Sequence, residues 1–152
     1  MTTDFKFTWK TVEDMIFAGH ATFTILNTET NNHFTYRIRK PDKMLPRSGV
    51  WWVWSKDENG GWHYLFSYFD DPNDFSKLIP KITGRSAIKS WDHIQAKAIL
   101  WYVNRLRQRR IPKNVVIQFA DHCCRCGRQL TDPKSLDRGI GPECVKVLGL
   151  ER

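Results

Sequence analysis

The feature that most constrains this chain is a cysteine spacing near its C-terminus. All four cysteines lie between Cys123 and Cys144. Cys123 and Cys126 form a Cys-x2-Cys pair, and Cys144 follows after a longer spacer. Two thiolates two residues apart, closed by a distant third, is how short loops hold a zinc ion. One coordination position is then left. A structural site fills it with a fourth protein ligand, whereas a catalytic site keeps water there. His122 and Cys124 are the nearest candidates; His122 is preferred and Cys124 is the alternative. Both adjoin Cys123, and neighbours in an extended chain point opposite ways, so either needs a tight local turn. Otherwise a distant histidine serves: His20, His33, His63 or His93. Gly127 suits a knuckle turn with positive φ. Gly139 and Gly141 let the chain fold back toward the metal. Ser135 reads as the cap of one helical turn, and the residues after Cys144 as a last turn. Competing readings are buried free thiols or a redox dithiol; the dithiol lacks the helix-opening context such pairs use.

A length of 152 residues suits one domain with at most a small satellite. Residues 1–120 read as an α+β domain and 121–152 as a zinc-binding module packed on it. With 41% hydrophobic residues and seven Trp the chain can bury a sizeable core. The first ten residues contain no apolar signal core, and no apolar run reaches the roughly 18 residues of a membrane span. A cytoplasmic protein with no membrane partner is expected (the host cytoplasm if phage-encoded), where clustered cysteines are metal ligands rather than disulfides.

The hydrophobic pattern gives the elements. Residues 11–19 read as a short helix capped by Thr11, stopped by Gly19 and striped by Val12, Met15 and Ile16. Residues 21–27 and 33–40 alternate as a hairpin, with Phe23, Tyr36 and Ile38 facing in and Arg37 and Arg39 facing out. A loop with two prolines spans 41–49. Residues 50–56 and 62–69 flank a strong turn at 57–61 and are aromatic on both faces. One face must pack on the core; the other is covered by a helix or offers an aromatic platform. Residues 76–84 are a short strand or an extended connection, and Pro80 argues against a central strand. The longest helix is placed from Ser90, as cap, to Arg109, with Ile94, Ala98, Ile99, Trp101, Tyr102, Val103 and Leu106 as its apolar face. Residues 114–120 form a strand leading into the cysteines. The expectation is an antiparallel sheet of four to five strands packed on one long helix, closed by a C-terminal zinc knuckle.

The stretch CRCGRQLTDPKSLDRGIGPEC (124–144) resembles the C-terminal motif of an uncharacterised family found mainly in phages and their bacterial hosts. That motif runs Cys-x2-Cys-Gly-Arg, Leu-Thr-x-Pro-x-Ser and Gly-x-Gly-Pro-x-Cys. Residues 18–40 are similar to the N-terminal hairpin of many members. The resemblance implies a phage or mobile-element setting and a zinc-binding C-terminus built on Cys123, Cys126 and Cys144. It implies no enzymatic activity. The doubled Cys123-Cys124 departs from the simplest form of the motif.

The net charge of +8 favours polyanionic partners. Arg105, Arg107, Arg109, Arg110 and Lys113 fall within nine residues that contain no acid. With Arg37, Arg39 and Arg128 they are the candidate contacts to nucleic acid, through phosphate pairing and base stacking on exposed aromatics. The plain alternative is a solvated helix end and a Trp-rich core. A second reading is a phage anti-defence protein that binds a host protein or a nucleotide signal. A third, zinc-dependent catalysis with Glu143 or Asp121, is weak. Three thiolates make zinc a poor Lewis acid, and no deaminase pattern, phosphate loop or dinucleotide fingerprint is present. A non-enzymatic binding protein is the expectation; its oligomeric state is left open.

Overall fold

The computed structural model describes residues 7–40, 49–71 and 73–150. The proline-containing loop expected at 41–49 therefore lies, apart from Gly49, outside the described residues.

Period-two alternation builds the sheet. In β1 (His20–Asn27) and β2 (His33–Arg39), Ala21 lies opposite Ile38 and Phe23 opposite Tyr36. All four side chains are fully buried. β3 (Val50–Lys56) and β4 (Trp62–Asp71) form the second hairpin. Its turn is held by Asp57, whose carboxylate accepts from the Asn59 and Gly61 amides. A register shift after Val53 brings Trp54 opposite Tyr64. β5 (Asp74–Lys81) pairs with β4, and β6 (Val115–Phe119) pairs with β1. The sheet has six antiparallel strands in the order β5-β4-β3-β2-β1-β6, one more than the upper count expected. The additional strand is the segment that Pro80 made ambiguous. As the outermost strand, β5 can carry a residue that donates no backbone hydrogen bond.

Two helices cover one face. α1 (Trp9–Ile16) begins earlier than Thr11, because Thr8 caps it by accepting from the Thr11 amide. Its expected stripe of Val12, Met15 and Ile16 is fully buried. α2 (Ile94–Arg107) begins later than Ser90: His93 is the cap, accepting from the Ala96 amide. The buried stripe of α2 is Ala96, Ile99, Tyr102, Val103 and Leu106. Ile94 and Trp101, placed on the apolar face by sequence, are 68% and 43% exposed. Spacings of three and four from Ala96 through Ile99, Val103 and Leu106 define the face, and both misplaced residues fall off it. These helices share one core with Phe23, Tyr36, Ile38, Val53, Phe66 and Tyr68. Tyr36 reaches across to donate to the Gln95 carbonyl at 2.6 Å.

The alternate residues of β2 and β3 point the other way. Arg37 lies opposite Trp54, and Arg39 opposite Trp52. The aromatic residues on both faces of the second hairpin are thus divided: Phe66 and Tyr68 enter the core, while Trp52 stays 39% exposed.

Two buried tyrosines give a matched test. Tyr36→Phe removes a buried hydrogen bond, while the Gln95 carbonyl keeps its place in the helix ladder, so it should cost about 1 kcal/mol in urea denaturation. The Tyr102 hydroxyl is buried without a hydrogen-bond partner among the described residues. Tyr102→Phe should leave stability unchanged or raise it.

Candidate metal centre

The chain leaves β6 at Phe119 and turns at once into the cysteines. A bridge between His122 and Gln129 closes a small hairpin. Within it the Cys123 amide donates to the Arg128 carbonyl at 2.9 Å, and the Gly127 amide to the Cys123 carbonyl at 2.9 Å. Gly127 takes φ +79°, the positive value that the knuckle demands. The knuckle is pinned to the start of β1. The His20 amide donates to the Cys124 carbonyl at 2.8 Å. The His20 ring nitrogen Nδ1 donates to the Arg125 carbonyl at 2.7 Å, and a carbonyl can only accept.

Two short helices carry the third cysteine back. α3 (Pro133–Arg138) is capped by Asp132, not Ser135; the Asp132 carboxylate accepts from the Ser135 amide. This contact, side chain first and then backbone, holds Asp132 below the usual carboxylate range. Gly139 ends α3 at φ +78°, and its carbonyl accepts from the Cys124 amide at 3.0 Å. α4 (Pro142–Leu148) follows and places Cys144 in its first turn. It runs longer than the single turn expected.

The result is a convergence of thiols. The sulfur atoms of Cys123, Cys126 and Cys144 all lie within 4.8 Å of one another, an arrangement compatible with a metal site. Cys123 and Cys144 are buried, while Cys126 is exposed. Hydrogen-bond donors reach two of the sulfurs. The Gly141 amide donates to Cys123 Sγ at 3.4 Å, and Arg125 Nη1 to Cys144 Sγ at 3.4 Å. Burial pushes the Cys123 thiol up, but the amides of Cys126, Gly141 and Arg125 outweigh it and the net direction is down. Burial pushes Cys144 up, with Arg125 opposing.

The two candidates for a fourth position fare differently from the three. His122 is not in the converging group. Its Nδ1 lies 3.0 Å from the Asp121 carboxylate, and its side chain is about half exposed. Cys124 is also outside the group; it is fully buried in the core, and burial drives its thiol pKa strongly up. Asp121 and Glu143, weighed for proton transfer, are both exposed. The Gln129 amide, with His122, holds Asp121 below the usual range; such an ionised acid makes a poor proton donor.

The module is part of the main core. Cys123, Cys124, Leu130, Ile140, Cys144 and Val145 belong to the same buried cluster as Phe23 and Ile16.

The candidate nucleic-acid contacts separate onto different surfaces. At the end of α2, Arg107 lies 3.5 Å from Glu13. Arg105 bonds Gln108 and sits 5.6 Å over Trp101; Arg109 lies 5.9 Å over Trp9. Arg110 and Lys113 are exposed there. Arg128 lines a cavity of about 430 Å³ beside the thiols. Arg37 and Arg39 instead lie on the sheet face away from α2. The Arg37 guanidinium is 4.1 Å over the Trp62 ring. Burial, with Arg39 nearby, lowers its pKa from the usual value. Trp52, Trp54, Tyr64 and Phe69, aromatics of the hairpin read as a covered face or an aromatic platform, surround a cavity of about 610 Å³ on that face with Arg85, which sequence reasoning did not single out. Their signal was the aromatic residues at alternate positions of β3 and β4, interpretable only once register is known.

Gly139 gives a packing test. A Cβ there would lie 2.3 Å from the Phe119 Cβ, on a backbone of positive φ. Gly139→Ala should therefore cost about 2–4 kcal/mol in chemical denaturation. Gly149→Ala, with φ +69° but nothing within 4 Å, should cost only about 1 kcal/mol.

No helix among the described residues is long and apolar enough to cross a membrane. No curated protein and no solved structure matches the chain. Residues 119–149, from the end of β6 through α4, match the family model described as a family of unknown function (DUF6011).

Proposed function

We propose that this is a non-enzymatic nucleic-acid-binding protein whose C-terminal module is held by a structural zinc ion. The observation that carries the binding role is the open sheet face. There Arg37 and Arg39 alternate with buried core residues and stand opposite Trp54 and Trp52. Cations among accessible aromatic rings suit phosphate pairing and base stacking together. The linear arginine cluster is the weaker candidate. Arg107 is drawn to Glu13, and Arg105 and Arg109 rest on Trp101 and Trp9. Arg110, Lys113 and Arg128 supply secondary phosphate contacts.

Zinc is the metal that best fits the donor set. A tetrahedral zinc with Zn–S near 2.3 Å places its sulfurs about 3.8 Å apart. The thiols need to close by only about 1 Å from their 4.8 Å limit. Three thiolates donate much charge, which disfavours activating a water. For the fourth position His122 remains the first candidate and Cys124 the second, each after a local rearrangement. A phage or mobile-element setting rests on the resemblance of residues 124–144 alone.

Metal analysis of the purified protein should return one zinc per chain. Cys144→Ser should reduce that content sharply and lower the melting temperature by about 10 °C or more. Full stability with no bound metal would remove the structural zinc. Oligonucleotide affinity should fall about 50-fold between about 50 and 200 mM salt if some four phosphates are contacted. A salt-independent affinity would remove the electrostatic part.

A further inference from the structure

We propose that the cavity on the open face of β3 and β4 is a base-binding subsite, and that this face takes single-stranded nucleic acid rather than a duplex. This rests on the nucleic-acid reading and specifies its substrate class and its locus. The cavity, about 610 Å³, is lined by Trp52, Trp54, Tyr64, Phe69, Thr83 and Arg85, with Val50 and Ser67. That volume is in the range of ligand sites for small planar molecules. Its polar groups are few. The Tyr64 and Ser67 hydroxyls bond each other, and Thr83 Oγ1 donates to the Tyr64 oxygen at 3.3 Å. The Trp54 indole nitrogen Nε1 is buried and has no partner among the described residues. A buried donor left unmet is costly, and the edge of a nucleobase supplies acceptors.

The charged residue in the cavity wall is basic. Arg85 is exposed at its wall, and Lys81 Nζ lies 5.3 Å over the Phe69 ring. Arg39 stands opposite Trp52. Among the described residues, none of Arg37, Arg39, Lys81 and Arg85 has an ion-pair partner. A largely apolar cavity with Arg85 in its wall and Lys81 over the ring of Phe69 fits a flat aromatic ring attached to phosphate.

Two features select a single strand. Bases in a duplex are stacked on one another and cannot enter an aromatic cavity, whereas unpaired bases can. A second aromatic station lies along the same strand. Trp62, two residues before Tyr64, carries the Arg37 guanidinium at 4.1 Å and the Lys56 ammonium at 5.7 Å. Side chains two residues apart on one strand are about 7 Å apart. Successive stations with cations between them suit consecutive nucleotides better than one mononucleotide.

The test uses the full chain and fluorescence anisotropy with labelled oligo-dT and oligo-U of about ten nucleotides, a duplex of equal length, and a mononucleotide as competitor. Single strands should bind at least about tenfold tighter than the duplex. Trp52→Ala and Arg85→Ala should each weaken single-strand binding about tenfold and duplex binding by less than about threefold; Arg85→Ala, at an exposed position, should leave the thermal melt unchanged. The pair Arg110→Ala and Lys113→Ala should shift single-strand binding less than about threefold. Loss of binding only in that pair would leave nucleic-acid binding standing and overturn the subsite. A mononucleotide that competes as well as the oligomers overturns the strand assignment in favour of a small ligand. No binding of any nucleic acid at low salt overturns the nucleic-acid reading itself.

Discussion

Three sulfur atoms held within 4.8 Å set the organisation of the C-terminal quarter of this chain. Thiols so close cannot all ionise without a cation, because like charges oppose one another. Donors nevertheless reach two of them, the Gly141 amide at Cys123 and the Arg125 guanidinium at Cys144. The sheet anchors the loop that carries them, and α3 and α4 return Cys144 to it. The His20 backbone and ring hold the knuckle at the start of β1. Gly139 allows α3 to end against Phe119, the last residue of β6. A cation at the thiols would thus tie two adjacent strands together through one loop. Such a cation would have a structural role that needs no chemistry at an open position.

The sheet divides its labour by alternation. Residues facing α1 and α2 form the core: Phe23, Tyr36, Val53, Phe66 and Tyr68. Their neighbours along the same strands carry arginine, threonine and indole to the other side. The division is one-sided because both described long helices lie on the core face. Antiparallel sheets commonly leave one face wet. Here that face is unusual in being aromatic as well as basic, with Trp52 still 39% exposed. A contiguous aromatic surface, unlike a single exposed indole, marks an interaction site, and a partner with flat faces and negative charge fits this one.

Much of this was legible in the sequence, and the failures have physical causes. Strict alternation located β1 and β2 within a residue or two, and the Asp57–Gly61 turn located the second hairpin. β5 was obscured because Pro80 is tolerated only at an edge, and edge position is not written in local pattern. On α2, Ile94 and Trp101 are large and apolar yet exposed, so size misled where helical phase decides. His93 displaced Ser90 as cap because an imidazole nitrogen can accept an amide proton as a hydroxyl can. At the candidate metal site the spacing located Cys123, Cys126 and Cys144 correctly as neighbours. It could not place His122, whose direction is fixed by the bridge to Gln129 and by Asp121. The basic surface was the least legible. Arg105 to Arg110 are conspicuous in a line, but three of the arginines there have partners within the chain. The face around Arg37, Trp54 and Arg85 is assembled from four strands and one loop, and only register brings it together.

The most direct measurement is X-ray absorption at the metal edge of the protein as purified. Three or four sulfur scatterers near 2.3 Å around zinc are expected, with three sulfurs and one nitrogen if a histidine completes the shell. A metal-free protein of full stability, or a shell of oxygen and nitrogen with no sulfur, would contradict the claim that Cys123, Cys126 and Cys144 form the clasp on which the C-terminal module depends.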